Sequence, residues 1–150
     1  ESSAWESTLA KSLSTSITSF PYLISLIGIP GSGKSTSSHI LCSSLSTHFP
    51  TAKIYCLQMD GFHYYRSYLD SLEASFPDCQ AHYYRGAYWT FDSHKLLQSL
   101  EEIKAGRSVK FPKFDHAVKD PEEDAVEVVM EGDVIVIVEG NYLGLKEVGD

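Results

Sequence analysis

At 150 residues the chain is long enough to bury one hydrophobic core and too short for two comfortable independent domains. Hydrophobic residues make up 43% and charged residues 21%, which excludes the disordered and fibrous classes. The formal net charge of -8 argues against a nucleic-acid partner, since phosphate backbones reward clustered Lys and Arg, whereas one triphosphate needs only a local nest of donors and a Lys.

In chain order, Trp5, Leu9 and Leu13 recur at helical spacing behind a Ser3/Glu6 capping box, so an amphipathic helix opens a Ser-rich lead-in over 1–20. Pro21 closes it, and the expected domain runs over 21–150. Tyr22 to Ile27 (YLISLI) reads as a buried parallel strand running into a Gly-rich loop. A helix follows from Lys34, with Ile40, Leu41, Leu45 and Phe49 on one face and Pro50 as its stop. Lys53 to Met59 is a second strand ending at Asp60-Gly61. Asp92 caps a helix whose inner face is Leu96, Leu97, Leu100 and Ile103, with Gly106 as its exit. Val126 to Met130 is a β-rich run, and Asp133 to Val138 (DVIVIV) is an apolar strand ending in Glu139-Gly140. Strands alternating with helices imply a mainly parallel α/β sheet, whose ligands bind beyond the carboxyl ends of the strands. The charge run Glu122, Glu123, Asp124 reads as a solvated loop or a helix start.

The apolar stretch around Val134 to Val138 is far below the roughly 18 residues that span a bilayer, so no membrane partner is expected. Cys42, Cys56 and Cys79 lack metal-ligand spacing and read as reduced thiols, which favours a cytoplasmic location. The first twenty residues contain Glu1 and Glu6 and no Arg, a poor leader, and the sequence leaves room for a leader removed upstream of Glu1.

The segment Gly28-Ile29-Pro30-Gly31-Ser32-Gly33-Lys34-Ser35 fits G-x-x-x-x-G-K-[ST], the Walker A pattern, at every fixed position, and it lies between a predicted strand and a predicted helix. Glycines let successive backbone N–H groups turn inward around phosphate oxygens, and the following helix, from Lys34, Ser35 and Thr36 onward, points its positive end at the same anion. Lys34 supplies a point charge for the β and γ phosphates and the Ser35 hydroxyl a ligand for Mg²⁺, so the expected cofactors are ATP and Mg²⁺. Glu139, directly after the apolar strand, is the expected second magnesium group; a solvated strand-end carboxylate is the plainer account of it. Asp60, at the end of the second strand, is placed to accept the proton of an attacking hydroxyl, and Asp-Gly is also ordinary turn chemistry.

Beyond the loop, four segments recur in order: Met59-Asp60-Gly61-Phe62-His63; Arg85-Gly86 with Thr90-Phe91-Asp92; Phe111-Pro112-Lys113-Phe114-Asp115-His116 with Asp120-Pro121; and Val138-Glu139-Gly140-Asn141-Tyr142-Leu143. Together they resemble the phosphoribulokinase/uridine kinase family of P-loop kinases, which includes the prokaryotic-type pantothenate kinases, and most closely its fructose transport system kinase-like branch. The resemblance implies a three-layer α/β/α P-loop NTPase fold and transfer of the γ-phosphoryl group of ATP to a hydroxyl of a sugar, nucleoside or pantothenate-like metabolite. By the same resemblance Asp60 matches the catalytic base and Glu139 the magnesium-site acid, while His63, Arg66, Arg85, Asp92, Asp115 and His116 fall in segments that line the acceptor pocket. Plainer readings stand beside these: Asp92 as a helix cap, His63 and His116 as backbone-bonded histidines, Arg66 and Arg85 as solvated charges. The aromatic stretches Tyr64-Tyr65 and Tyr83-Tyr84 to Tyr88-Trp89 are read as packing rather than stacking on a substrate.

Family members continue past the Glu-Gly strand with further strands, an Arg-bearing lid and an adenine-holding segment, none of which is present in this sequence. The chain is therefore read as a fragment truncated before the lid, with an exposed sheet edge that favours self-association or disorder near Asp150. The rival reading is a nucleotide-hydrolysing switch or regulatory module without a small-molecule acceptor.

Overall fold

The computed structural model describes residues 4–145. Its elements run α1 (Ala4–Ser16), β1 (Tyr22–Ile27), α2 (Lys34–His48), β2 (Lys53–Gln58), a 3-10 turn over Met59–Phe62, α3 (Arg66–Ser75), α4 (Ser93–Lys104), β3 (Val109–Asp115), β4 (Asp120–Val128) and β5 (Val134–Gly140). The first, second and last strands to be expected from the sequence form a parallel sheet in the order β1-β5-β2, with helices on both faces. This is the α/β arrangement with a parallel sheet that the alternation of strands and helices predicts.

The central strand explains the layers. All seven residues of β5 are buried, and successive side chains of a strand point to opposite faces. Val134, Val136 and Val138 accordingly join Leu57, Phe62, Ile103, Phe111 and Val128 in one core, on the side of α4 and β3. Ile135 and Ile137 join Ala10, Ile17, Leu41 and Leu45 in the other, on the side of α1 and α2. Each such fully buried Val or Ile contributes about 1.5–3 kcal/mol, so β5 is the element on which both cores depend. The lead-in is part of this packing, because Ala10 of α1 is fully buried and Leu9 and Leu13 press on the same cluster.

Three expectations are corrected. Residues 109–128 form an antiparallel hairpin, β3 with β4, so Glu122, Glu123 and Asp124 lie within a strand rather than in a loop or helix start. The strand β3 tolerates Pro112 because the ladder register shifts between Phe111 and Lys113, and a residue lacking an N–H fits at such an irregularity. Leu97, expected on the inner face of α4, is 56% exposed, while Ile103 is buried and Leu96 and Leu100 are partly buried against the core. Helix α3, whose Leu69 is fully buried, is an element that the sequence pattern above does not predict.

Among the described residues no helix is long and apolar enough to cross a membrane, and Cys42, Cys56 and Cys79 are free thiols. Among the described residues the outer strand β1 pairs with β5 alone. The expected disorder near Asp150 lies outside the described residues.

Candidate active site

The carboxyl ends of β1, β2 and β5 converge on one cavity of about 360 Å³. Pro30, Gly31, Lys34 and Ser35 of the phosphate loop line it together with Gln58, Asp60, His63 and Glu139. Gly31 and Gly33 adopt φ of 76° and 83°, left-handed values that side chains resist, and this lets the loop curl. Gly33 is also the N-cap of α2 and gives it no side-chain hydrogen bond. The N–H groups of the first turn, at Lys34, Ser35 and Thr36, thus have no capping side chain and face the loop with the helix's positive end, as an anion site requires. Gly28 N–H donates to the Gly140 carbonyl at 3.4 Å and Ser32 N–H to the Ile29 carbonyl at 3.2 Å, which ties the loop to β5 and closes it on itself. The Lys34 ammonium donates back to the Ile29 carbonyl at 2.9 Å.

Glu139 is 5% exposed at the end of β5. Gln58, its direct neighbour in the register of β2 against β5, donates from Nε2 to Glu139 Oε1 at 2.7 Å. The other oxygen, Oε2, is buried and has no hydrogen-bond partner among the described residues. A buried carboxylate oxygen left alone is costly, and such a group calls for a missing positive partner. A carboxylate with a free oxygen, a serine hydroxyl at the start of α2 and a phosphate cradle beside them form the hard oxygen set that suits Mg²⁺.

Asp60 sits on the 3-10 turn that follows β2, facing the same cavity. The turn holds His63, whose ring lies 4.0 Å from Phe91 and 5.0 Å from Phe114 between centroids. His63 Nδ1 is 2.8 Å from the Asp60 carbonyl, which only accepts, so Nδ1 carries the proton and donates. Burial pushes the His63 pKa below its ordinary 6.5, with the Asp60 carbonyl opposing, so near neutral pH the ring is uncharged and Nε2 is a lone-pair acceptor.

Other residues singled out in the sequence have partners elsewhere. Arg85 donates from Nη1 to the Lys119 carbonyl at 2.6 Å and from Nη2 to the Tyr64 carbonyl at 3.0 Å and Asp120 Oδ1 at 2.7 Å, and its guanidinium lies 5.6 Å from the Phe114 ring centre. It bolts the β3–β4 hairpin to the segments on either side of α3. Asp92 caps α4, accepting from Lys95 N–H at 2.9 Å. Asp115 accepts from Ala117 N–H at 2.7 Å within the hairpin turn, and His116 is exposed on that turn, its ring 5.2 Å from Phe114. Arg66 begins α3, its backbone N–H donating to Asp120 Oδ1 at 2.9 Å. None of these five lines the cavity. Gly86, Phe91, Gly140 and Asn141, which the sequence offers only as members of the ordered motifs, and Gln58, which it offers only as part of a strand, do line it. For Gln58 the available signal was its place at a strand end two residues before Asp60.

The phosphoribulokinase/uridine kinase family model matches residues 23–147. The chain is 40% identical over 128 residues to a Schizosaccharomyces pombe protein named "putative uridine kinase", covering 83% of this chain and 52% of that protein. To a pantothenate kinase of Haemophilus influenzae it is 35% identical over 127 residues, 82% of this chain and 38% of the relative. The solved structure of a "putative fructose transport system kinase" from Silicibacter sp. TM1040 superposes with a TM-score of 0.76 at 32% identity, covering 92% of this chain and 64% of that one. The chain thus spans about half the length, or less, of the curated relatives it matches. With the phosphate loop, the parallel sheet and the ordered motifs all in place, the chain belongs to the phosphoribulokinase/uridine kinase family.

Proposed function

We propose that the protein is an ATP-dependent phosphotransferase that moves the γ-phosphoryl group to a hydroxyl of a small metabolite such as a sugar, a nucleoside or a pantothenate-like compound. One observation carries the reading: Lys34 and Ser35 of the phosphate loop share a single cavity with two carboxylates, Asp60 and Glu139, presented from separate strand ends. The names of the relatives, a uridine kinase and pantothenate kinases among them, support the same class of chemistry.

In this reading the loop amides and Lys34 hold the β and γ phosphates, with Gly28, Pro30, Gly31, Ser32, Gly33, Ser35 and Thr36 forming the cradle and the first helical turn. Ser35 and Glu139 would hold Mg²⁺, which would supply positive charge against the phosphates. Asp60 accepts the hydroxyl proton of the acceptor as its oxygen bonds to the γ-phosphorus and the bond to the β–γ bridging oxygen breaks. His63 Nε2 faces the acceptor as a hydrogen-bond acceptor. Asp92, Asp115 and Arg85 support the pocket from behind through the cap, the hairpin turn and the hairpin clamp, with Arg66 and His116 at its periphery.

The test is ADP release measured across a panel of sugars, nucleosides and pantothenate-like compounds, against a control without acceptor. Release stimulated by an acceptor is the expected result. Release equal to the control for every compound, with hydrolysis intact, would instead favour a nucleotide-hydrolysing switch.

A further inference from the structure

We propose that Gln58 is a positioning residue for the cation: its neutral amide holds one oxygen of Glu139 and leaves the other, with the charge uncancelled, free for the metal. The inference rests on the reading above that a metal-bound nucleotide occupies the phosphate loop.

The geometry follows from strand register. Gln58 and Glu139 are direct partners in the parallel β2–β5 ladder, and paired residues project to the same face. That face is the one carrying Ile135 and Ile137 toward α2, so both side chains rise beside the helix that begins with Lys34 and Ser35. The amide then reaches Oε1 at 2.7 Å and fixes the rotation of the carboxylate, while Oε2 stays buried and unpartnered.

The chemical identity of the donor matters as much as its position. No ion pair among the described residues involves Glu139, and the ammonium of Lys34 is engaged with the Ile29 carbonyl. A Lys or Arg at 58 would also orient the carboxylate but would neutralise the charge that a cation needs. An amide orients without neutralising, which is how groups behind a metal ligand tune it.

A second observation points the same way. Gln58 and Glu139 both line the phosphate-loop cavity and also a second one, of about 220 Å³, bounded by Ser38, His39, Cys56 and Lys113. The hydrogen-bonded pair is common to both. Without the amide the carboxylate has room on its far side, and its charge need not point at the phosphates.

The experiment measures the affinity of the full chain for a fluorescent ADP analogue in EDTA and in Mn²⁺, and takes the ratio. Wild type is expected to bind more tightly with Mn²⁺. In Gln58→Leu the ratio falls about tenfold, the size typical when a group supporting a metal ligand is removed. In Gln58→Lys it falls similarly although the thermal midpoint is kept or raised, because the ammonium pairs with Glu139. A merely structural Gln58 would be replaced by Leu without loss of the Mn²⁺ ratio, and that result overturns the proposal, as does an unchanged ratio in Gln58→Lys, which would mean that the Glu139 charge is not used by the cation. If Gln58→Leu fails to fold, Gln58→Met, of similar length and without a donor, decides in its place by the same ratio. Wild type that binds no nucleotide under either condition would sink the kinase reading itself, and this inference with it.

Discussion

Gly61 lies so close to Pro112 that a Cβ placed on it would fall 2.2 Å from the Pro112 carbonyl oxygen. The contact is between two backbones, so no side-chain rotation relieves it. It seats the 3-10 turn bearing Asp60 directly on the bulged strand of the hairpin, and Phe62 of the same turn packs edge-on against Phe111 with 4.8 Å between ring centres. Adding a methyl group there forces the turn off the hairpin. Gly61→Ala is expected to lower stability by about 1–3 kcal/mol, the range for overpacked sites, and to move Asp60 away from the phosphate loop. Denaturant titration checks the first part, and an unchanged midpoint would mean that the hairpin yields at no cost.

The two groups assigned to the phosphoryl transfer separate kinetically. Asp60→Asn keeps the size of the side chain but removes its ability to take a proton, so kcat is expected to fall by about 10²–10⁴ while nucleotide affinity stays near wild type. Lys34→Ala withdraws charge from the phosphates in both ground and transition states, and both nucleotide affinity and rate should suffer. Steady-state kinetics with direct nucleotide binding distinguishes them. Full-rate turnover by Asp60→Asn would remove the base from the mechanism.

For Arg85 the resemblance and the geometry lead to opposite expectations. A residue binding the acceptor would, on substitution by Lys, raise KM with little effect on stability. A guanidinium that donates from both terminal nitrogens to Lys119, Tyr64 and Asp120, with side chains only 16% and 23% exposed in the ion pair, is a clamp that one ammonium cannot reproduce. Arg85→Lys should therefore cost about 1–3 kcal/mol, as for a charge-assisted hydrogen bond lost from a half-buried network, and KM should follow only through loosening of the hairpin. Parallel measurement of the unfolding midpoint and KM decides. A raised KM at wild-type stability would return Arg85 to the acceptor pocket.

The elements readable from sequence were those whose signal is local. The phosphate loop announces itself in eight consecutive positions, β5 in an unbroken apolar run, and the start of α4 in an Asp that does cap it through Lys95 N–H. What escaped depends on partners far along the chain. The strand β3 has a proline within it, and the charges of β4 look like those of a loop until Glu123 is seen paired with Lys95 of α4 and accepting from Tyr65. Asp120 was noted as part of a motif, but its tie to Arg85 spans 35 positions and no spacing rule reveals it. Gln58 offers only its place at a strand end, and its pairing comes from register against a strand 81 residues away.

Burial of His63 makes a prediction about acid whose sign can be worked out. Its ring is wedged between Phe91 and Phe114, and desolvation there disfavours the charged form and lowers its pKa from 6.5. In the window between the depressed native value and the ordinary one, the unfolded chain binds a proton that the native protein refuses. Stability linked to His63 is therefore fully present above about pH 7 and is lost progressively as pH falls through 6.5 toward the native value. The unfolding midpoint should decline on acidification, and His63→Gln, which cannot titrate, should decline less steeply below pH 6.5. Thermal melts of both proteins across that range give the slopes. Identical slopes would mean that the ring takes its proton in the folded state as easily as in water, which would contradict its enclosure by the two phenyl rings.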